Sequence, residues 1–133
     1  MILGIGTDLT HIDRIEALLR RHGERFINRC FDALEITAAE NSKKNLPSGY
    51  AKRWAAKEAC AKALGLGITE SIYLKDIIVT NDNHGKPGII LKNGAQKRLT
   101  TLTPQGYSSR IDLSLSDDYP MAIAFVIISA EAL

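Results

Sequence analysis

The segment at residues 50–64, YAKRWAAKEACAKAL, constrains the fold more than any other stretch of the chain. It is dense in alanine, lysine and glutamate, which have high helix propensity. Two glycines, Gly65 and Gly67, follow it and suit the left-handed conformation in which many helices end. The segment therefore predicts a helix over 50–64.

The rest of the chain mixes strand-like and helical segments without strict alternation. Strands are predicted where apolar residues lie between turn-forming residues, at 2–9, 72–80, 88–92, 110–116 and 121–129. Further helices are predicted at 11–30, within 31–50 beside an exposed basic loop, and at 94–102. The strands at 72–80 and 88–92 should form a hairpin, and the nearly all-apolar segment 121–129 should be central or interfacial. This order favours an α+β domain over a doubly wound parallel sheet.

Length and charge exclude several classes of protein. With 133 residues, the chain is typical of a single domain, 1–133, built around one core. The 17 basic and 15 acidic residues give a net charge of +2, too small to indicate binding to nucleic acid or to a membrane surface. The first residues lack the pattern of a signal peptide, and no apolar run is long enough to span a bilayer. Cys30 and Cys60 lack metal-ligand spacing, so we expect two reduced thiols in a cytoplasmic protein.

Asp8 is the first candidate for chemistry. It follows Gly-Ile-Gly-Thr at the predicted end of the first strand, where glycines let another group approach the backbone closely. A carboxylate on such a rigid edge is suited to bind a metal ion. The alternative is that Asp8 caps or steadies the start of the next helix, for which Thr10 is also a candidate N-cap.

Glu58 is the second candidate, because it lies within roughly 60° of Ala51, Trp54 and Ala55 on a helical wheel of the 50–64 helix. Burying a carboxylate in such an apolar stripe is costly unless it meets a cation. A divalent ion shared with another carboxylate would satisfy it. The alternative is an ordinary helix-surface pair with Lys62, four residues further along.

Three arginines share one face of the predicted 11–30 helix. Arg14, Arg21 and Arg25 fall within about 40° of one another on the helical wheel, and Leu18 borders them. Arginines that pair with carboxylates, next to an apolar anchor, suit the docking of an acidic helix. The alternative is a solvated charged face.

A second basic set surrounds the 50–64 helix: Lys43, Lys44, Arg53, Lys57 and Lys62. Such side chains suit several phosphate groups on one ligand. The sequence lacks GxxxxGK[ST] and GxGxxG motifs and zinc-like histidine spacing, which argues against nucleotide hydrolysis, dinucleotide redox chemistry and a zinc site. It also lacks an arrangement typical of a covalent nucleophile. The remaining choices are metal-assisted phosphoryl transfer and no catalysis.

Four segments resemble, in this order, the holo-acyl-carrier-protein synthases, the stand-alone bacterial group of 4′-phosphopantetheinyl transferases. They are GIGTDLTHIDRI at 4–15, KRWAAKEACAKALGLGI at 52–68, DIIVTNDNHGKPGIIL at 76–91 and LSLSDDYPMAIAFVI at 113–127. The resemblance implies that family's fold, an antiparallel sheet packed with helices. It also implies transfer of the 4′-phosphopantetheine arm of coenzyme A to a serine of acyl carrier protein, with release of adenosine 3′,5′-bisphosphate.

The same resemblance implies roles for individual residues. Asp8 and Glu58 match the family's Mg²⁺ ligands, and Lys62 would aid the leaving group, so these three form the expected catalytic set. The expected coenzyme A contacts are Lys44, Arg53, Lys57, Lys62 and Gly65. The serine proton would pass to Glu58 or through a water to a carboxylate, a choice that the sequence leaves open.

The resemblance also implies two kinds of protein contact. The family binds the acidic helix of acyl carrier protein on a surface that corresponds to Arg14, Leu18, Arg21 and Arg25, which favours the docking interpretation. It forms homotrimers with active sites between subunits, so the apolar last strand would lie at that interface. One departure is Asp117, where many relatives carry a histidine; a carboxylate cannot donate to the 3′-phosphate of coenzyme A as a histidinium would.

Two other interpretations compete with this one. The first is a non-enzymatic adaptor that holds an acidic helical partner on the Arg14, Arg21 and Arg25 face, with Glu58 and Lys62 only structural. The second is a fragment of the sugar-kinase and actin-like superfamily, suggested by the Gly/Thr/Asp cluster of the first strand. That fold needs two such domains, and the chain is too short for them.

Overall fold

The computed structural model describes residues 1–42, 45–69 and 71–133. In these ranges the elements are β1 (Ile2–His11), α1 (Ile12–His22), α2 (Glu24–Cys30), α3 (Ala33–Asn41), α4 (Leu46–Ala63), a 3₁₀ turn (Leu74–Asp76), β2 (Ile77–Asn81), β3 (Pro87–Leu91), α5 (Asn93–Leu102), β4 (Tyr107–Asp118) and β5 (Met121–Ala132). The strands pair antiparallel and the helices pack on them, so the predicted α+β class is confirmed.

The frame of the fold is a three-stranded sheet in the order β1-β5-β4, and β2 and β3 form a separate hairpin, as predicted. β5 is the central strand, which confirms the prediction from its apolar sequence. Along β5, Ala124 and Val126 are buried, whereas Ile123 and Phe125 are exposed. This alternation is the two-residue period of a strand with one face on the core.

Helix α4 packs on the inner face of the sheet and touches the backbone of β1. A Cβ atom on Gly4 would lie 2.0 Å from the carbonyl oxygen of Ala63, and one on Gly6 would lie 1.9 Å from that of Ala59. Since both contacts are with helix backbone, only glycine fits at these two positions. The period of the strand then puts Asp8 on the same face of β1 as the two glycines, towards α4.

Two apolar clusters hold these elements together. One lies between α4, the sheet and the β2-β3 hairpin, and its members include Ala59, Ile77 and Val126. The other joins α1, α2 and α3 to the first half of α4. In this second cluster the ring of Phe26 lies 5.9 Å from that of Phe31 and 5.8 Å from that of Trp54. The aromatic contacts therefore fix α2 against the helix that carries Glu58.

The start of the first helix differs from the prediction. β1 does not end at Asp8 but pairs with β5 up to His11, opposite Met121. Thr10 is not the N-cap: its hydroxyl donates to Asp8 Oδ2 at 2.6 Å, and the residue before α1 is His11, which makes no side-chain cap bond. The prediction was wrong because strand pairing with a distant segment, which local sequence does not report, extends β1.

The predicted 11–30 helix is two helices. Gly23, with φ 53° and ψ −127°, separates α1 from α2, and its N–H donates to the carbonyl oxygen of Leu19 at 2.8 Å. The apolar spacing continues through the break, which is why the periodicity alone predicted one helix. Glycine adopts a positive φ at little cost, so the presence of Gly23 was the feature of the sequence that could have indicated a helix end here.

The predicted 50–64 helix begins earlier, at Leu46, and Pro47 and Gly49 lie inside it. Pro47 lies in the first turn, where a missing N–H costs nothing. The predicted basic loop falls partly on Lys43 and Lys44, which lie outside the described residues. The predicted strand over 72–80 begins with the 3₁₀ turn and becomes extended only at Ile77.

Two other predictions concern the environment of the chain. Both cysteines, Cys30 and Cys60, are free and buried, as expected. In the described ranges, none of the helices has the length and apolar character needed to cross a membrane.

Candidate active site

The fold brings together two carboxylates that are distant in sequence, Asp8 on β1 and Glu58 on α4. The close approach of β1 and α4 at Gly4 and Gly6 is the cause, since Asp8 is the next residue on that face of the strand. Burial raises the pKa of Glu58, and the nearby Asp8 carboxylate raises it further. Lys62 and Arg14 act in the opposite direction. The two acids and two cations therefore form one electrostatic cluster.

Asp8 and Lys62 are the members of this cluster that touch directly. Lys62 Nζ lies 3.4 Å from Asp8 Oδ1 and donates to the carbonyl oxygen of Thr7 at 2.9 Å. The side chain of Asp8 is 17% exposed, and its other oxygen accepts the Thr10 hydroxyl. Asp8 thus lies inside β1 and does not cap α1. Within the described residues Lys62 pairs with Asp8 and not with Glu58, so the simple helix-surface pair is not formed.

The donor set of this cluster fits a magnesium ion shared with a ligand. Mg²⁺ prefers oxygen ligands and is commonly bound by one or two carboxylates together with water and substrate phosphates. Asp8 and Glu58 supply two carboxylates, and their mutual repulsion would be relieved by a cation. Over the ranges that the structure describes, no group of three or more His, Cys, Asp or Glu is placed to hold a metal. The two carboxylates therefore suit an ion whose coordination is completed by water and phosphate oxygens.

A second polar site is a cavity of about 490 Å³ beside the N-terminal half of α4. Its lining includes Ser48, Lys52, Arg53, Asn81 and Asp117. Lys52 Nζ lies 3.4 Å from Asp117 Oδ1, so the carboxylate is paired inside the cavity. Among the described lining residues, the cavity therefore combines two cationic side chains with one paired acid.

Arg53, which lines this cavity, has one buried donor that lacks a partner among the described residues. Its Nη1 donates to the carbonyl oxygen of Gly49 at 3.0 Å, whereas its Nε is buried without a partner among the described residues. Burial also lowers the pKa of this guanidinium. The guanidinium also lines the cavity, where its charge suits an anionic ligand such as a phosphate group. That Arg53 contacts a phosphate therefore stays a prediction, and its position at the cavity supports it.

The chain matches a known family over most of its length. A family model described as the 4′-phosphopantetheinyl transferase superfamily matches residues 4–124. The chain belongs to this superfamily. A holo-[acyl-carrier-protein] synthase of Nitrobacter winogradskyi is 53% identical over 135 residues, which cover 99% of this chain and 97% of the relative. One of Sinorhizobium fredii is 52% identical over 130 residues, 98% of this chain and 93% of the relative.

Solved structures of the same family are also similar. The crystal structure of holo-[acyl-carrier-protein] synthase from Neisseria meningitidis has a TM-score of 0.85 and 36% identity, covering 97% of this chain and 99% of that one. The Helicobacter pylori synthase, solved in complex with coenzyme A, has a TM-score of 0.79 and 30% identity, covering 94% and 99%. The resemblance predicted from the sequence is confirmed. Membership of a transferase superfamily favours an enzyme over an adaptor and excludes the sugar-kinase and actin-like fragment.

Lys57 was expected to contact coenzyme A in this transferase, and the structure contradicts that expectation. Its side chain is fully buried, and Nζ donates to Glu35 Oε1 and to the carbonyl oxygens of Leu74 and Ile77. An ammonium group has three donors, so none is left for a phosphate. Lys57 instead joins α3, α4 and the start of β2. The sequence prediction was wrong because charge and position on a helix do not reveal a buried acid 22 residues away.

Glu35 was missed as the partner of Lys57. Its Oε1 also accepts the N–H of Asp32 at 3.0 Å, and its Oε2 accepts the N–H of Val79 at 3.1 Å. The signal was present in the sequence, because Asp32 and Glu35 form a capping box at the start of α3. Two such backbone bonds and an ion pair satisfy a carboxylate that is otherwise costly to bury.

Two further residues expected to contact coenzyme A are Gly65 and Lys44. Gly65 has φ 85°, and its N–H donates to the carbonyl oxygen of Lys62 at 2.9 Å, so it ends α4 as predicted. Its contact with coenzyme A stays a prediction. Arg98 of α5, which no sequence motif had indicated, donates from Nε to the carbonyl oxygen of Leu64 at 2.8 Å and stabilises the same helix end. Lys44 lies outside the described residues.

The predicted docking arginines do not share one helix. Arg14 and Arg21 are exposed on α1, and Leu18 between them is half-buried against the aromatic cluster. Arg25 lies on α2, after the break at Gly23, so the helical-wheel angle predicted for it is wrong. It lines a separate cavity of about 400 Å³ with Phe26. The electrostatic effect of Arg14 on Glu58 shows that the first turn of α1 lies near the acidic pair.

Proposed function

We propose that this chain transfers the 4′-phosphopantetheine group of coenzyme A to a serine of apo acyl carrier protein, giving holo-acyl carrier protein and adenosine 3′,5′-bisphosphate. One observation carries the proposal. The fold brings Asp8 and Glu58, from opposite ends of the first half of the chain, into one cluster with Lys62. The near full-length similarity to holo-[acyl-carrier-protein] synthases, among them one solved with coenzyme A, supports the same reaction.

We further propose that the reaction depends on Mg²⁺, held by Asp8 and Glu58. When bound, the ion would neutralise the diphosphate of coenzyme A. Lys62 adds a fixed positive charge, because its bonds to Thr7 and Asp8 hold the ammonium group at the site. Preorganised charge of this kind stabilises the charge that develops on a leaving phosphate. The serine proton passes to Glu58 or to a water that the carboxylates hold.

The carrier protein would dock on α1. Arg14 and Arg21 are exposed there, with the half-buried Leu18 as an apolar anchor. Because Arg14 acts on Glu58, an acidic helix bound at this face would present its neighbouring serine to the acidic cluster. Such a carrier serves fatty acid biosynthesis. The two buried free thiols, Cys30 and Cys60, fit a reducing compartment, which supports a cytoplasmic enzyme.

We also propose a homotrimer with active sites between subunits. The outer face of β1 and β5 exposes Ile5 (59%), Leu9 (61%), Ile123 (45%) and Phe125 (40%), an apolar surface that a second copy would cover. Arg53 and Glu58 point about 140° apart around α4, by the helical repeat. A shared site would let the Arg53 cavity of one copy meet the acidic cluster of another. Sedimentation of the wild type and of a Phe125→Asp variant measures this assembly.

The experiment that tests the function is a mass-shift assay. Apo acyl carrier protein is incubated with coenzyme A, Mg²⁺ and the enzyme, and the mass of one phosphopantetheine should be added. A chelator should prevent the addition, and excess Mg²⁺ should restore it. Folded enzyme that leaves a verified carrier unmodified would overturn the proposal, and carrier binding without any modification would instead support an adaptor.

A further inference from the structure

The acidic side chains of α1 are held by neighbours, whereas its docking arginines are not. The hydroxyl of Tyr119 donates to Asp13 Oδ1 at 2.6 Å, and Arg20 Nη2 lies 3.7 Å from Glu16 Oε1. Arg14 and Arg21 form no ion pair with any carboxylate in the part of the chain that the structure describes. On α1, therefore, both carboxylates have bonding partners, whereas the guanidinium groups of Arg14 and Arg21 have no ion-pair partner among the described residues.

The position of Asp13 makes its side chain important for this face. On the helical repeat Arg14 and Arg21 lie roughly 20° apart, and Asp13 lies roughly 80–100° from them. Asp13 therefore borders the docking face without facing it. A carboxylate free to turn towards that face would neutralise the arginines or repel the carboxylates of an acidic partner. The bond from Tyr119 directs it instead towards the turn between β4 and β5.

The same turn anchors the first turn of α1. The N–H of Ile12 donates to the carbonyl oxygen of Pro120 at 2.8 Å, and it is needed there because His11 supplies no side-chain cap. Tyr119 itself is 64% exposed, so its ring adds little to the core. Its hydroxyl bond to Asp13 can therefore be removed while the backbone anchor at Pro120 remains.

We propose that Tyr119 is a positioning residue for carrier docking, which holds the Asp13 carboxylate at the β4-β5 turn and away from the face formed by Arg14 and Arg21. The inference rests on the proposed function, because it names a determinant of affinity for the acidic partner of the same site. Tyr119 touches neither the acidic cluster nor the Arg53 cavity by any described bond. Its effect is therefore on the carrier and not on coenzyme A.

The test compares Tyr119→Phe with the wild type. The dissociation constant for apo acyl carrier protein, measured by calorimetry, should rise about threefold, the size expected for an exposed charge interaction. The KM for the carrier should rise equally, with kcat and the KM for coenzyme A unchanged. The effect should shrink at high salt, where exposed charges are screened. Tyr107→Phe is the matched control, because its hydroxyl has no described partner and it lies at the far end of β4.

Rescue distinguishes positioning from a general structural role. Asp13→Asn in the Tyr119→Phe background should restore the wild-type dissociation constant, because it removes the charge that Tyr119 holds. An unchanged constant in Tyr119→Phe, or a loss that Asp13→Asn does not restore, would overturn the inference. Calorimetry measures binding independently of turnover. A wild type that binds the carrier but transfers nothing would therefore contradict the proposed function and leave the inference about Tyr119 intact. A wild type that does not bind the carrier would contradict both the proposed function and the inference about Tyr119.

Discussion

Lys62 Nζ lies 3.4 Å from Asp8 Oδ1 and 2.9 Å from the carbonyl oxygen of Thr7, so a lysine near the end of α4 is tied to the strand that carries the first acid. The contact neutralises part of the charge of Asp8 and leaves Glu58, half-buried nearby, without a direct ion pair among the described residues. This arrangement supports the proposal that a Mg²⁺ ion and the diphosphate of coenzyme A bind here.

Replacing Asp8 with asparagine should reduce the rate of carrier modification at least about 100-fold, because the change removes one of two proposed metal ligands and the partner of Lys62. Mass spectrometry of the carrier measures the rate. Calorimetric titration of Mn²⁺ in the presence of coenzyme A should show weaker binding. Asp118→Asn, an exposed acid on β4, is the control and should behave as the wild type. Equal Mn²⁺ affinity in both variants would contradict the assignment.

Replacing Arg21 with alanine should mainly raise the KM for acyl carrier protein, about threefold to tenfold, with kcat nearly unchanged. The physical reason is that Arg21 is exposed on α1 and forms no described ion pair, so its contribution is available to a partner. Steady-state kinetics at several carrier concentrations measures it. Arg110→Ala, on β4 beside Asp112, removes a similar exposed charge and is the control. An Arg21 variant with wild-type KM argues against the docking face.

Replacing Gly6 with alanine should lower the free energy of unfolding by about 2–4 kcal/mol, since the new methyl group meets helix backbone that cannot rotate away. Activity should fall too, because β1 must shift and carries Asp8 with it. Urea denaturation and the mass-shift rate measure the two effects. Gly49→Ala is the control: its Cβ would lie 3.5 Å from Arg53 Nη1, an ordinary contact, and it lies within α4. Equal stability of the two variants would rule out the close-packing argument.

Replacing Lys57 with methionine should destabilise the fold by about 3–5 kcal/mol, because it leaves the carboxylate of Glu35 buried without its cation. The double variant Glu35→Gln with Lys57→Met should recover part of this loss, since no charge then remains in the core. Urea denaturation of the wild type, both single variants and the double variant gives the coupling free energy. A Lys57→Met variant as stable as the wild type, but with a raised KM for coenzyme A, would restore the phosphate role that the structure argues against.

Stability should fall as pH rises from about 9 towards 12. Burial raises the pKa of Cys60 from 9.0 to about 12 and, aided by the charge of Glu40, that of Tyr50 from 10.0 to about 12. In this window the unfolded chain releases protons that the folded chain retains, so the free energy of unfolding decreases with pH. Urea denaturation at pH 8 and pH 11 measures the decrease. Cys60→Ala should make the dependence shallower, and an unchanged dependence would show that Cys60 does not contribute.

Several features of this chain followed from local sequence. The helix at α4 was predicted from its composition, and the β2-β3 hairpin from two apolar runs around a turn. Asp8 and Glu58 were identified because each breaks a local rule: a carboxylate directly after an apolar strand, and another inside an apolar helical stripe. A carboxylate in an apolar segment can be recognised from the local sequence, because propensity and periodicity are defined over a few neighbouring residues.

Other features depended on contacts between distant segments. The break at Gly23 separates Arg25 from the helix that carries Arg14 and Arg21. Lys57 was expected to bind phosphate, but its ion pair with Glu35 on α3 makes it a buried structural residue. Neither outcome changes the local pattern that led to the prediction. The pairing of Lys52 with Asp117 in the Arg53 cavity likewise joins residues from α4 and β4.

The sequence by itself determined the α+β class, the central apolar strand and the two acids, because hydrophobic periodicity and residue type are written into each short segment. The tertiary structure alone decided which cations those acids meet, which lysine is buried, and which side chain bonds to Asp13. Electrostatic and hydrogen-bond partners act through space over a few ångströms, and chain segments far apart in sequence reach that range only after folding.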